Sequence, residues 1–193
     1  MSMARAERRG VTSGIKESPN KVGTFSPDAR DQLSSQGYLI YSLSGKSIRE
    51  LEAEGNKFWS TWHRSQPRVE DVTSSIGEVA INPAKIFIDG SNLKSVQDQN
   101  RLVEELSEKL QVENKGLQAM VGNIADNAEL FFLHLKTTGE DLFGGKYART
   151  TQEAFSNPVF IGGAMGDKLG IVYWQPVFEC SDFFTAPLII PSK

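Results

Sequence analysis

The chain has 193 residues, of which 39% are apolar and 23% charged, and its formal net charge is −3. This length suits one domain, and a single cysteine excludes both an intrachain disulfide framework and a cysteine-rich zinc site. No apolar run approaches the roughly 20 residues that cross a bilayer. We therefore expect a soluble, cytoplasmic protein with no membrane partner.

The charge is divided unevenly along the chain. Residues 1–25 carry five bases against two acids, whereas residues 26–193 carry 16 bases against 22 acids. The first segment is also poor in bulky apolar residues, which predicts a disordered basic tail over residues 1–25 and one folded domain over residues 26–193. Because the body is acidic, we expect nucleic acid to be a partner only through this tail.

Helix-capping signals mark the first two elements. Ser26 followed by Pro27 predicts a short helix that ends at Gly37, and residues 38–43 have the composition of a strand. Ser47 and Glu50 have the spacing of a capping box. Apolar residues at helical spacing then predict a second helix as far as Trp62.

The middle of the chain predicts strands, a long helix and a further apolar stretch. Residues 78–88 suggest one interrupted strand or two short ones, because Pro83 cannot donate a ladder hydrogen bond. Ser95 caps a third predicted helix over residues 96–111, whose expected inward positions are Val96, Val103, Leu106 and Leu110. An apolar stretch over residues 117–122 leads to a helical turn or loop through residue 126.

The last third is rich in aromatic residues and glycine. Residues 158–161, 169–175 and 183–190 have the composition of strands, with a hairpin turn at residues 166–168. Strands do not alternate regularly with helices here. The pattern predicts an α+β fold, in which N-terminal helices pack on a mainly antiparallel sheet that has a C-terminal β-meander.

The segment IFIDGSNL, residues 86–93, reads as an apolar strand that ends in a polar turn. It resembles the opening of NYN domains, which are PIN-like, metal-dependent ribonucleases. The resemblance implies that Asp89 is a Mg²⁺ ligand, with Asn92 nearby. Such chemistry needs several converging carboxylates, and the pattern places no second acid at a strand end. In the alternative interpretation these polar residues form a turn that leads to the Ser95 cap.

His134 is a second catalytic candidate. If residues 130–136 form a strand, His134 shares a face with Phe132 and Lys136, where it would act as a general base if a carboxylate oriented it. The alternative is a structural histidine on a half-buried strand.

Two segments supply binding candidates. The first holds His63, Arg64 and Arg68, which follow the aromatic face of the predicted second helix and are expected to be exposed. The second begins at Lys146, after a glycine pair, and continues with Tyr147 and Arg149. Its glycines look briefly like a phosphate loop, but the spacing to the lysine is one residue too long, which favours a glycine-rich turn.

The whole region 130–190, from LFFLHLKTTGEDLFGGKYART to FFTAPLII, resembles a family of small bacterial proteins that have no assigned fold or activity, and the likeness extends to residues 78–83 and 95–110. The first hypothesis is therefore a non-catalytic binding or interaction module, with an unknown ligand, no cofactor and a protein as one partner option. The alternative is a Mg²⁺-dependent NYN-like ribonuclease that uses Asp89. A third hypothesis is a hydrolase that uses His134.

Overall fold

The computed structural model describes residues 23–74, 76–174 and 181–192. The helices are α1 Pro27–Ser35, α2 Ile48–Ala53, α3 Pro67–Glu70, α4 Val96–Glu113 and α5 Ile124–Thr138, with 3-10 turns at Trp62–Ser65 and Pro83–Lys85. The strands are β1 Leu39–Ser42, β2 Lys57–Phe58, β3 Glu78–Ile81, β4 Leu117–Val121, β5 Tyr147–Ala154, β6 Asn157–Met165, β7 Lys168–Tyr173, β8 Phe183–Phe184 and β9 Pro187–Pro191. No helix in these ranges is long and apolar enough to cross a membrane.

The strands form two sheets. The first sheet has the order β1-β3-β9-β4 and is antiparallel throughout. The second has the order β2-β7-β6-β5-β8, with an antiparallel centre and short edge strands that run parallel to their neighbours. The predicted α+β class, with its antiparallel C-terminal strand series, is confirmed.

Helix α5 lies in the main core, between the two sheets. Its residues Ala128 and Phe131 pack in one apolar cluster with Val79 of the first sheet and Ile161 of the second. The other face of the first sheet packs against α1 and α4 in a separate cluster, which includes Ala80. Successive residues of β3 therefore point into different apolar layers, as the alternation of a strand requires.

Local capping fixes where the helices begin. The Ser26 side chain accepts the Ala29 N–H, and Ser47 and Glu50 form the complete capping box that the sequence predicts. Ser95 caps α4 by accepting the Asp98 N–H at 3.1 Å. These three predicted helix starts are confirmed. They could be predicted from the sequence because each cap joins residues only three positions apart.

The second helix ends at Ala53, so the prediction that it continues to Trp62 is wrong. Gly55 adopts a left-handed conformation with φ 93°, and the chain then pairs with β7. The indole N–H groups of Trp59 and Trp62 donate to the Gly163 and Ile171 carbonyl groups at 2.9 and 2.6 Å. Tertiary contacts with the second sheet thus override the helical spacing of the aromatic residues.

The interpretation of residues 130–136 as a strand is also wrong, because they belong to α5. The helix is buried on most of its surface, which removes the amphipathic period by which a helix is recognised. Its limits are marked by a capping box between Asn123 and Asp126 and by left-handed Gly139.

Four further expectations change. Residues 86–88 form no strand and follow the 3-10 turn, whereas β5 is a strand that the sequence did not predict. The segment 183–190 divides into β8 and β9, which belong to different sheets. Val96 is 41% exposed rather than inward. The predicted tail over residues 1–25 stays a prediction, because residues 1–22 lie outside the described ranges; Phe25, at its end, is buried.

Candidate functional site

Five polar side chains from four separate segments meet between the second sheet and the first turns of α4. We call them the Arg149 cluster: Ser91, Gln99, Asn100, Arg149 and Thr185. Arg149 lies on β5, and Thr185 directly follows β8. Because β8 runs parallel to β5, with Ala148 opposite Phe184, the next residues along the two strands are Arg149 and Thr185. The turn after residue 88 and the start of α4 supply the others.

Hydrogen bonds through Ser91 join Gln99 to Thr185, and a separate hydrogen bond joins Arg149 to Asn100. The Thr185 N–H donates to the Ser91 hydroxyl at 3.0 Å, and the Gln99 amide donates to the Ser91 carbonyl at 2.9 Å. The Arg149 Nη2 group donates to Asn100 Oδ1 at 2.5 Å. Ser91 and Thr185 are fully buried, and Gln99 and Arg149 are 3% and 4% exposed.

Three atoms of the cluster have no hydrogen-bond partner among the described residues: Arg149 Nε, Gln99 Oε1 and Thr185 Oγ1. In the same part of the chain Arg149 forms no ion pair with a carboxylate, and burial lowers the pKa of its guanidinium group. A buried charge that has one amide oxygen as its hydrogen-bond partner among the described residues is costly, because burial removes the hydration of the charged group. Arg149 is therefore a buried cation whose hydrogen-bond partner among the described residues is the neutral amide oxygen of Asn100.

Aromatic rings line the sheet beside Arg149. Phe160, its cross-strand neighbour on β6, stacks on Phe183 with ring centroids 4.4 Å apart. Tyr147 and Trp174 meet the same Phe183 ring edge-on, at 5.2 and 4.7 Å. These rings lower the local dielectric around the guanidinium, which strengthens its attraction for an anion.

Asp89 lies in a turn and is exposed, so it does not occupy the strand end that the sequence suggested. It lines a groove of about 350 Å³ together with Asp141 and Lys146. Both Asp141 oxygens accept backbone N–H groups, from Phe143 at 2.9 Å and from Gly145 at 2.8 Å. Asp141 therefore serves to shape the glycine turn before β5.

The groove shows no magnesium-site geometry. Within the described ranges no group of three or more histidine, cysteine, aspartate or glutamate side chains could hold a metal ion. Asn92 donates to the Ser181 carbonyl at 3.2 Å, which ties its turn to the start of β8. Lys146 Nζ lies 4.7 Å from the Phe184 ring centroid, in a cation–π contact.

His134 is buried near the end of α5. Its Nδ1 lies 2.7 Å from the Tyr41 hydroxyl, and burial lowers the pKa of the imidazole. The hydroxyl that reaches this ring is thus a phenol of the first sheet, and the contact joins β1 to α5.

His63 is fully buried, so the expectation that it is exposed is wrong. It packs against the Phe58 and Trp62 rings, and neither ring nitrogen has a hydrogen-bond partner among the described residues. Its Nε2 lies 3.7 Å from Glu52 Oε1, which also accepts from Arg64 at 2.8 Å. Arg68 is exposed nearby.

The predicted candidates therefore divide among four places. Arg149 belongs to the Arg149 cluster, and Tyr147 lies near it on β5. Asp89 and Lys146 line the groove. His134 contacts Tyr41, and the segment that holds His63 packs against β7. Sequence reasoning missed Ser91, Gln99, Asn100 and Thr185 as site residues, because their distances along the chain hide their contact. Comparisons with protein-family models, curated proteins and solved structures give no match.

Proposed function

We propose that the chain is a non-catalytic binding module and that the Arg149 cluster binds a small oxyanion. The observation that carries this proposal is Arg149, a residue that is 4% exposed, whose Nε is buried without a hydrogen-bond partner and which has no carboxylate partner in the described part of the chain. Buried charges in folded proteins are normally paired. An unpaired one calls for an explanation, and a bound anion provides it.

The chemistry of arginine favours an oxyanion over other ligands. Its planar guanidinium presents several N–H donors in a geometry that matches carboxylate and phosphate oxygens. In this cluster Nη2 is engaged by Asn100, whereas Nε is without a partner among the described residues. The free donor is thus available to an incoming oxygen atom.

The catalytic alternatives gain no support from the side chains around their candidate residues. Asp89 is an exposed turn residue, and the other acid in its groove, Asp141, has both oxygens engaged by backbone N–H groups. His134 is in contact with Tyr41 rather than with a serine, threonine or cysteine nucleophile. Binding without catalysis is the function that these environments favour.

The test compares anion binding by the wild-type chain and by Arg149→Met. Phosphate, sulfate and acetate are titrated at constant ionic strength, and binding is measured by calorimetry and by the thermal midpoint. At 100 times its dissociation constant an anion stabilises the folded state by about 2.7 kcal/mol. We expect stabilisation of the wild type and none of Arg149→Met.

Arg101→Met is the matched control, because Arg101 is an exposed arginine on α4, where its partners are Glu105 and Asp98. It should bind the anions as the wild type does. Equal shifts for the wild type and Arg149→Met would overturn the proposal, since they would reflect general ionic effects on the surface.

A further inference from the structure

Two further unpartnered atoms belong to the Arg149 cluster, and one of them, Gln99 Oε1, narrows the class of anion. Thr185 Oγ1 and Gln99 Oε1 are buried and have no hydrogen-bond partner among the described residues. A hydroxyl group can donate or accept, whereas an amide oxygen can only accept. A ligand that fills this cluster must therefore do more than accept hydrogen bonds from Arg149.

Two sets of hydrogen bonds, which meet at the neighbouring residues Gln99 and Asn100 of α4, bring these side chains to the same part of the fold. Thr185 and Gln99 both bind Ser91, and Asn100, the neighbour of Gln99 on α4, accepts from Arg149. In the parallel pairing of β5 and β8 Ala148 lies opposite Phe184, and Arg149 and Thr185 are the residues that follow them. The unpartnered donor of Arg149 and the unpartnered acceptor of Gln99 thus belong to the same small cluster.

We infer that the Arg149 cluster selects an oxyanion that carries its own hydroxyl donor; this inference rests on the proposed function. The oxyanion accepts from Arg149 Nε, and the hydroxyl group of the ligand donates to Gln99 Oε1. An ammonium donor is disfavoured because it would place a second positive charge beside the guanidinium. Since the cluster is buried, the ligand is small.

Two sources share this chemistry, namely a small 2-hydroxycarboxylate and hydrogen phosphate. Two matched pairs of probes distinguish them. Glycolate and propionate have the same number of heavy atoms, but only glycolate has a hydroxyl group beside the carboxylate. Hydrogen phosphate and sulfate are both tetrahedral oxyanions, but only hydrogen phosphate has a proton to donate near neutral pH.

We expect the hydroxyl-bearing member of at least one pair to bind the wild type about tenfold or more tightly than its match. The reason is that propionate and sulfate leave the buried acceptor of Gln99 without a hydrogen bond. Their binding free energy is then weaker by at least the contribution of about one hydrogen bond. The pair that shows the preference identifies the source. Calorimetry at pH 7 and constant ionic strength measures all four dissociation constants.

Gln99→Met removes the acceptor with a side chain of similar length. We expect it to retain anion binding through Arg149 but to reduce the preference to about twofold or less. Thr185→Val removes the other unpartnered atom with little change in shape, and serves as a second variant if Gln99→Met fails to fold. It should weaken both members of the preferred pair, because it deletes a group that can bind either an oxyanion or a hydroxyl.

The outcomes separate this inference from the proposed function. If no probe binds the wild type, the proposed anion site itself fails. If all four bind through Arg149 with equal affinity, the anion site stands and selection for a hydroxyl donor is refuted. A preference that persists unchanged in Gln99→Met also refutes the inference, because another group must then accept the hydroxyl hydrogen bond.

Discussion

Replacing Arg149 by methionine should stabilise the protein in the absence of bound anions. The substitution keeps an unbranched apolar stem in the β5 position and removes the charge of a residue that is 4% exposed. Its hydrogen-bond partner, Asn100, is exposed, so the oxygen released by the substitution can bind water instead. The loss of this one contact is therefore small.

The magnitude follows from the cost of burying the charge. Apolar replacement of buried ionic groups is often neutral or stabilising by about 1–4 kcal/mol, even where those groups were paired. Arg149 has no carboxylate partner in the described ranges, and a shorter side chain offsets part of the gain by leaving a cavity. We expect a net gain of about 2 kcal/mol, or about 4–8 °C in the thermal midpoint for a chain of this size.

The assay is equilibrium unfolding in urea, with tryptophan fluorescence, in a chloride buffer free of phosphate, sulfate and carboxylates. The midpoint should rise by about 1 M urea at unchanged slope. Addition of a saturating anion should then stabilise the wild type alone. A loss of about 2 kcal/mol or more in Arg149→Met, in anion-free buffer, would refute the reasoning, because it would mean that the folded chain already compensates the charge.

Three other substitutions test the described contacts. Burial holds the pKa of His63 below its ordinary value of 6.5, so the neutral imidazole stabilises the fold above about pH 6.5 and this stabilisation is lost as the pH falls. In His63→Leu the free energy of unfolding should therefore fall less steeply below pH 6.5, by up to about 1.4 kcal/mol per pH unit. Glu129→Gln weakens charge-assisted bonds from the Ser44 N–H and hydroxyl, and should cost about 2 kcal/mol and speed hydrogen exchange at the Ser44 amide. Gly170→Ala would place a Cβ against the Trp59 indole, and should cost about 1–3 kcal/mol and shift the tryptophan emission, whereas Gly23→Ala, which meets open space, should do neither.

The elements that could be predicted from the sequence are those whose signals lie within a few residues. The Ser47–Glu50 box and the Ser95 cap fix helix starts through contacts three residues apart. A tight turn at Gly166 joins β6 to β7. Gly166 has a φ of 65°, a conformation that glycine adopts without strain. Local chemistry is sufficient in each case, because the deciding hydrogen bonds or dihedral angle lie within one short segment.

The errors arise where distant contacts decide the structure. Trp59 and Trp62 have helical spacing, yet their indole groups bind carbonyl oxygens more than 100 residues away. Helix α5 lies between two sheets, so apolar residues on all sides concealed its period. In both cases the apolar residues are buried, but packing against the second sheet, rather than their spacing along the chain, determines which secondary structure they adopt.

The candidate site was predictable only in part. Arg149 was a binding candidate because of its residue type and its place near the glycine turn. Its burial and its neighbours depend on β5, a strand that the sequence did not predict, and on the return of the chain at β8. Gln99 and Thr185 are 86 positions apart in sequence, so no spacing rule could join them.

Two other buried charges show how this fold treats a charged group with a structural role. Glu129, at 5% exposure, accepts hydrogen bonds from the Ser44 N–H and hydroxyl and from the Gly45 N–H. Glu78 accepts the Phe25 N–H and forms an ion pair with Arg30.

Arg149 is as deeply buried as either glutamate, yet one amide oxygen is its hydrogen-bond partner in the described chain. Folded proteins break such local rules chiefly where binding requires a group that is ready for a ligand. If the only role of Arg149 were to connect β5 to α4, a neutral side chain would do so with a smaller free-energy cost of burial. The contrast with the satisfied glutamates therefore favours a ligand, rather than the fold itself, as the reason for a cation at this position.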